Sequence, residues 1–158
     1  MILTFLTAAA LLQDSTLVYS GRANRTHVDV PRIDTVATID GNLDEPVWRR
    51  AARLTEFSQY QPVDGRPSAE PTEILVWYAP DAIYFGIRAR EIHGNVVRAT
   101  HANRDNIDSE DQIQILLDTD NARQIAFLFG VNPYGVQQDG TRSAQFAGGA
   151  GGPEFLGP

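Results

Sequence analysis

The chain has 158 residues, with 20 Asp and Glu set against 13 basic residues, all of them Arg, for a net charge of −7. That balance excludes a protein held to nucleic acid by general phosphate attraction, which needs a net positive surface. The absence of Cys excludes disulfides, thiolate metal sites and a Cys nucleophile, while 42% apolar residues are enough for a folded core.

The apolar run at residues 2–12 is too short for a membrane span of about 20 residues. Its length suits the apolar region of a signal peptide. Small residues permit cleavage near Ala8, Ala9 and Ala10 or after Ser20, so residues 1–20 are expected to direct export. The destination would be the periplasm, the outer membrane or the medium. Residues 21–35 are polar and suit an extended lead-in. Asp40-Gly41 signals a turn. Asp44 suits an N-cap and Pro46 a first helical turn, and Trp48, Ala51 and Ala52 share one helical face. One short helix is therefore expected near residues 45–53, followed by a Pro-rich loop over 58–72.

Two hairpins follow. In 73–79, Ile74, Val76 and Tyr78 alternate with Glu73, Leu75 and Trp77. In 83–90, Ile83, Phe85, Ile87 and Ala89 alternate with Tyr84, Gly86, Arg88 and Arg90. Ala79-Pro80-Asp81-Ala82 makes the turn between them. The second pair is 112–118 and 124–131, joined by Thr119-Asp120-Asn121-Ala122. It sets Ile113, Ile115 and Leu117 on one strand face and Ile125, Phe127, Phe129 and Val131 on another, both expected to face a core. Asp118, Asp120 and Asn121 fit Asx-type turn bonds. After Gln138-Asp139-Gly140 the alternation fades, and residues 147–158 read as a Gly-rich loop or tail. The expected fold is all-β, an antiparallel β-sandwich over residues 36–146 with its last strands missing.

Three segments carry a resemblance. They are Ile39-Asp40-Gly41-Asn42-Leu43-Asp44-Glu45-Pro46-Val47-Trp48, then Trp77 to Gly86, then the stretch from Arg104-Asp105 through Ser109-Glu110-Asp111 and Leu117-Asp118-Thr119 to Phe129-Gly130-Val131-Asn132-Pro133-Tyr134-Gly135-Val136. In order and spacing they resemble the family 9 carbohydrate-binding module and its relatives. The resemblance implies a β-sandwich that binds the end of a polysaccharide or oligosaccharide, often with structural Ca²⁺. Relatives of this kind stand before an outer-membrane β-barrel or accompany xylanases and other glycoside hydrolases, so a longer parent with a barrel or hydrolase domain is implied. Sugar-binding members clamp the ligand between two Trp rings, and this chain has only two Trp.

The candidate sugar contacts are Trp77, Tyr60 and Tyr134 for stacking, with Arg88, Gln112 and Gln114 for hydrogen bonds. Trp77 has two possible roles, a sugar platform on a partly wet face or core packing; Trp48 reads as core. Asp105, Asp108, Glu110 and Asp111 lie within seven residues and offer the hard oxygens that Ca²⁺ takes, although a solvated acidic loop has the same composition. His27, His93 and His101 show no ligand spacing, and no segment resembles a hydrolase catalytic motif. The expected function is an exported, non-catalytic carbohydrate-binding module, serving carbohydrate catabolism as the accessory of a glycoside hydrolase. The alternative is a structural or interaction domain at the N-terminus of an outer-membrane barrel protein, with no sugar bound.

Overall fold

The computed structural model describes residues 18–23, 27–59, 65–94 and 96–143. The run at 2–12, Tyr60 and the tail 147–158 lie outside them. The described residues are nearly all-β, with two sheets whose strand pairings are antiparallel except for one. It divides into two compact units, residues 1–94 and 95–158.

The first unit holds four strands in sequence order. β1 (Val18–Ser20) pairs in parallel with β2 (Ala52–Thr55). β2 runs antiparallel to β3 (Thr72–Tyr78), and β3 to β4 (Ile83–Ala89). The expected first hairpin therefore forms, in a register from Thr72↔Ala89 to Tyr78↔Ile83. The expected helix is shorter than its pattern suggests. Only Pro46–Arg50 coil, as a 3-10 turn, and Ala51 is already extended at φ −65° and ψ 150°. Short helices are marginal without tertiary support, and here the ladder to β3 recruits Ala52, Arg53 and Leu54 instead. Val18–Ser20 also belong to the sheet, so cleavage after Ser20 would remove β1, whereas cleavage near Ala8–Ala10 would keep it.

The core of this unit gathers on the 3-10 turn and the centre of β3. Val47, Trp48 and Ala51 pack with Ile33, Ala37, Leu75, Trp77 and Ala79. Trp77 is fully buried, stacked on its cross-strand partner Tyr84 at 3.9 Å between ring centroids and 7° between planes. Trp48 meets it edge-on at 6.0 Å, the geometry that ring quadrupoles favour. Glu45 ties the turn down: its carboxylate accepts from the Trp48 indole N–H at 2.8 Å and from the Thr38 amide at 2.9 Å. These bonds, that from Thr38 first, hold the Glu45 pKa below the usual carboxylate value. Gly86 on β4 lies under this cluster. A Cβ there would stand 2.9 Å from Leu43 Cδ2 and from Trp48 Cζ3, so glycine lets the Trp ring lie on the strand.

The second unit is a three-stranded sheet, β5 (Ile113–Leu117), β6 (Ile125–Val131) and β7 (Gln137–Ser143), in that order. The turn before β6 is closed by Asp118, whose carboxylate accepts from the Asp120 amide at 3.2 Å and the Arg123 amide at 2.7 Å; this is the expected Asx-type bonding. Asn132 closes the next turn through the Tyr134 and Val136 amides at 3.0 and 2.9 Å. β7 is a strand that alternation misses, because Gln137-Gln138-Asp139-Gly140-Thr141-Arg142-Ser143 holds no apolar residue. Its full ladder to β6, Ile125↔Ser143 to Val131↔Gln137, defines it.

Register sets Ile113, Ile115 and Leu117 beside Val131, Phe129 and Phe127, as the period predicts. The burial is the reverse of expectation on β6. Phe127 and Phe129 are 47% and 49% exposed, whereas Leu128 on the opposite face is fully buried. Among the described residues nothing closes off the Phe face.

Candidate functional site

The first unit contains an open cavity of about 590 Å³ beside the N-terminal end of β3 and the C-terminal end of β4. Its wall begins with Glu73 on β3, directly opposite Arg88 on β4. Glu73 accepts from Arg88 Nη1 at 2.9 Å through one oxygen and from Arg53 Nε at 2.5 Å through the other. One carboxylate thus holds two guanidiniums from the flanking strands. Partial burial pushes the Glu73 pKa up, but the hydrogen bonds and charges of Arg53 and Arg88 outweigh it, and the net shift is downward.

Two further arginines line the cavity. Arg90 follows β4, where its amide donates to Pro71 O at 3.1 Å; Arg22 follows Gly21, whose amide donates to Thr55 O at 3.3 Å. The guanidiniums of Arg22 and Arg90 have no ion-pair or hydrogen-bond partner among the described residues. Phe57, Pro67, Pro71 and Ile92 add apolar wall. The cavity therefore offers fixed, mutually neutralised charge at its β3 side, two cations with no partner among the described residues, and apolar surface. That combination orients a polar ligand and favours one bearing an anionic group.

Glu70 also lines the cavity. Its Oε1 lies 2.5 Å from His93 Nδ1, and its Oε2 accepts from the Ile92 amide at 2.9 Å. The Glu70 hydrogen bond, and then its charge, raise the His93 pKa. Glu91 is close by, accepting from the His93 amide at 2.6 Å. His93 is thus not the isolated histidine that spacing alone indicates.

Of the residues singled out in the sequence, Arg88 is in this cavity. Trp77 is not available as a platform: a sugar needs a free ring face, and both the ring and its residue are sealed in the core against Tyr84 and Trp48. Tyr60 lies outside the described residues. Tyr134, Gln112 and Gln114 belong to the second unit. Tyr134 is 56% exposed and stacks on His101 at 4.4 Å. Gln112 donates to Ile107 O at 3.1 Å and accepts from Gln114 Nε2 at 3.2 Å, so the two amides satisfy each other and the loop.

The four acidic residues expected to hold Ca²⁺ do not converge. Asp105 accepts from the Asp139 amide at 3.0 Å, and Asp108 from Gln138 Nε2 at 2.6 Å. Asp111 accepts from the Arg98 amide at 2.7 Å. Glu110 binds the Thr100 hydroxyl and, at 2.7 Å, Asn132 Nδ2; these hydrogen bonds, Thr100 first, lower its pKa. Each carboxylate braces a different piece of backbone or side chain. Among the described residues, the group whose ligand atoms all fall within 4.8 Å of one another is Glu70, Glu91 and His93.

Sequence reasoning missed Arg22, Arg53 and Arg90, which come from three separate segments and share no spacing. The signal it passed over was Glu91-Ile92-His93, two donor side chains two residues apart. No protein family, curated protein or solved structure matches the chain.

Proposed function

We propose that the chain is a non-catalytic carbohydrate-binding module that takes an acidic glycan, one bearing uronate groups, in the cavity of its first unit. The observation that carries this reading is the pair of guanidiniums, Arg22 and Arg90, that have no partner among the described residues, beside the Arg53–Glu73–Arg88 bridge. A planar guanidinium binds a carboxylate through two parallel N–H bonds. A Glu carboxylate held by two Arg accepts from sugar hydroxyls without becoming an unpaired charge. The all-β architecture and the family 9 resemblance support the same reading, in which the module is exported.

The test is a glycan array followed by calorimetric titration of the best ligands. Uronate-containing oligosaccharides are expected to bind and neutral ones to bind weakly. Arg90→Ala and Arg22→Ala should each weaken the acidic ligand about tenfold, the equivalent of ~1.4 kcal/mol, at the low end for a charge-assisted hydrogen bond. Binding of neutral glycans only, or unchanged affinity in both variants, would refute the cavity assignment.

A second reading rests on the exposed Phe127 and Phe129 of β6, with Ile125 and Val131 at 60% and 39% exposure. Contiguous apolar patches of a few hundred Å² mark interaction surfaces. In that reading the chain is an interaction domain of an outer-membrane barrel protein, and no glycan binds.

A further inference from the structure

The segments around Glu70 and His93 are brought together by the hairpin itself. The Arg90 amide bonds Pro71 O at 3.1 Å, which continues the β3–β4 pairing one step beyond the strands. Glu70, two residues before β3, therefore faces the residues that follow β4. The Ile92 amide, at 2.9 Å from Glu70 Oε2, fixes one Glu70 oxygen and leaves the other toward the His93 ring. The His93 amide in turn draws the Glu91 carboxylate to the same place. Two carboxylates and one imidazole nitrogen then stand within 4.8 Å of one another.

We propose that Glu70, Glu91 and His93 form a binding site for a borderline divalent cation of the Zn²⁺ class, at the rim of the cavity. A His and two carboxylates match the nitrogen and oxygen donors that Zn²⁺ takes at ~2.0–2.2 Å. Ligand atoms around such an ion stand ~3.3 Å apart in tetrahedral geometry, so the half-buried Glu70 and the exposed Glu91 and His93 need only small rotations. Charge favours the ion as well. The two carboxylates carry −2, which Zn²⁺ bound with a neutral imidazole balances. The Nδ1 lone pair binds the metal, so any proton on that nitrogen leaves to solvent on binding. Ca²⁺ and Mg²⁺ are poor fits, because they take oxygen ligands in larger number or in a strict octahedron. Three protein ligands leave a coordination position for water or for a ligand group. Glu70 and Ile92 line the cavity, so the site adjoins it.

The test uses the full chain, freed of any affinity tag and stripped with chelator, with Zn²⁺ titrated by calorimetry in the absence of glycan. Co²⁺ serves as the spectroscopic probe. One equivalent should bind, with Co²⁺ absorption in the range and intensity of low coordination number. His93→Ala and Glu70→Gln should each weaken binding at least about tenfold, the lower end of what even outer-shell changes cost. Glu70→Gln keeps an acceptor for the Ile92 amide, and Glu91→Gln, a third variant at an exposed position, should weaken binding as well. His101→Ala should bind as the parent does, and Ca²⁺ should not compete. Absence of a one-equivalent site, or binding unchanged in His93→Ala and Glu70→Gln, overturns the proposal. Because the readout needs no sugar, it succeeds or fails independently of the glycan reading.

Discussion

Substitution of Gly86 by Ala tests how the first unit holds its 3-10 turn against the sheet. The new Cβ would lie 2.9 Å from Leu43 Cδ2 and Trp48 Cζ3, and 3.0 Å from Leu43 Cδ1. Carbon atoms rest at ~3.5–4.0 Å, so an overlap of roughly half an ångström or more must be relieved. Leu43 is partly buried and able to turn. Trp48 is 5% exposed and its indole N–H is committed to Glu45, so the ring has little room to move. Overpacking of this kind costs ~1–3 kcal/mol, and replacing Gly by Ala within a strand returns ~0.5–1 kcal/mol. The net expectation is a loss of ~0.5–2 kcal/mol, which lowers Tm by about 1–8 °C for a chain of this length. Urea and thermal unfolding measure the loss, and near-UV circular dichroism reports the Trp48–Trp77 pair. Adding Leu43→Ala to the Gly86→Ala chain should recover part of the chiroptical signal by making space. A Gly86→Ala chain as stable as the parent, or more so, would refute the close approach.

Trp77→Ala should cost ~3–5 kcal/mol, the range for an emptied aromatic site in a core, and unfold the first unit before any binding can be measured; a folded variant that merely loses glycan affinity would mean the ring is exposed after all. Glu45→Ala should lower Tm and disturb the Trp48 near-UV signal, since two donors lose their acceptor. The carboxyls of Glu73, Glu45 and Glu110 titrate below their ordinary value in the folded chain. Their stabilisation is complete above the unfolded carboxylate range near 4.5 and is lost as pH falls through the lowered folded values. Tm should therefore fall below about pH 5, with a smaller fall in Glu73→Gln, whereas the raised His93 pKa adds stability as pH drops from neutrality; a Tm that holds or rises below about pH 5 would contradict the ion pairing. Phe129→Gln, at a half-exposed position, should change stability by no more than about 1 kcal/mol while reducing the binding of a hydrophobic dye. Severe unfolding of that variant would place the side chain in a core.

The two hairpins were legible because their apolar residues recur at every second position and their turns carry Pro, Asp and Asn. The same alternation could not say which face meets a core. On β3 the neighbours on both sides bury Leu75, Val76 and Trp77 in succession, and on β6 the Phe face is left open. β1, β2 and β7 were illegible, since a strand of three or four residues, or one without apolar side chains, exists only through its partner. The candidate site was legible at Arg88 alone. Arg22, Arg53, Glu73 and Arg90 come from four elements or their flanks, and only the β1–β4 pairing brings them to one cavity. In the acidic stretch at 105–111 composition counts carboxylates but not their directions, which hydrogen bonds to Asp139, Gln138, Thr100 and Arg98 set apart.

The central claim, a ligand cavity in the first unit, is tested most directly by amide NMR shifts in the labelled chain as a uronate oligosaccharide is added. Saturable changes at Arg22, Arg53, Glu73, Arg88 and Arg90, with the amides around Tyr134 and Gln112 unmoved, are the predicted result. Changes confined to the second unit, or none at saturating glycan, would contradict it.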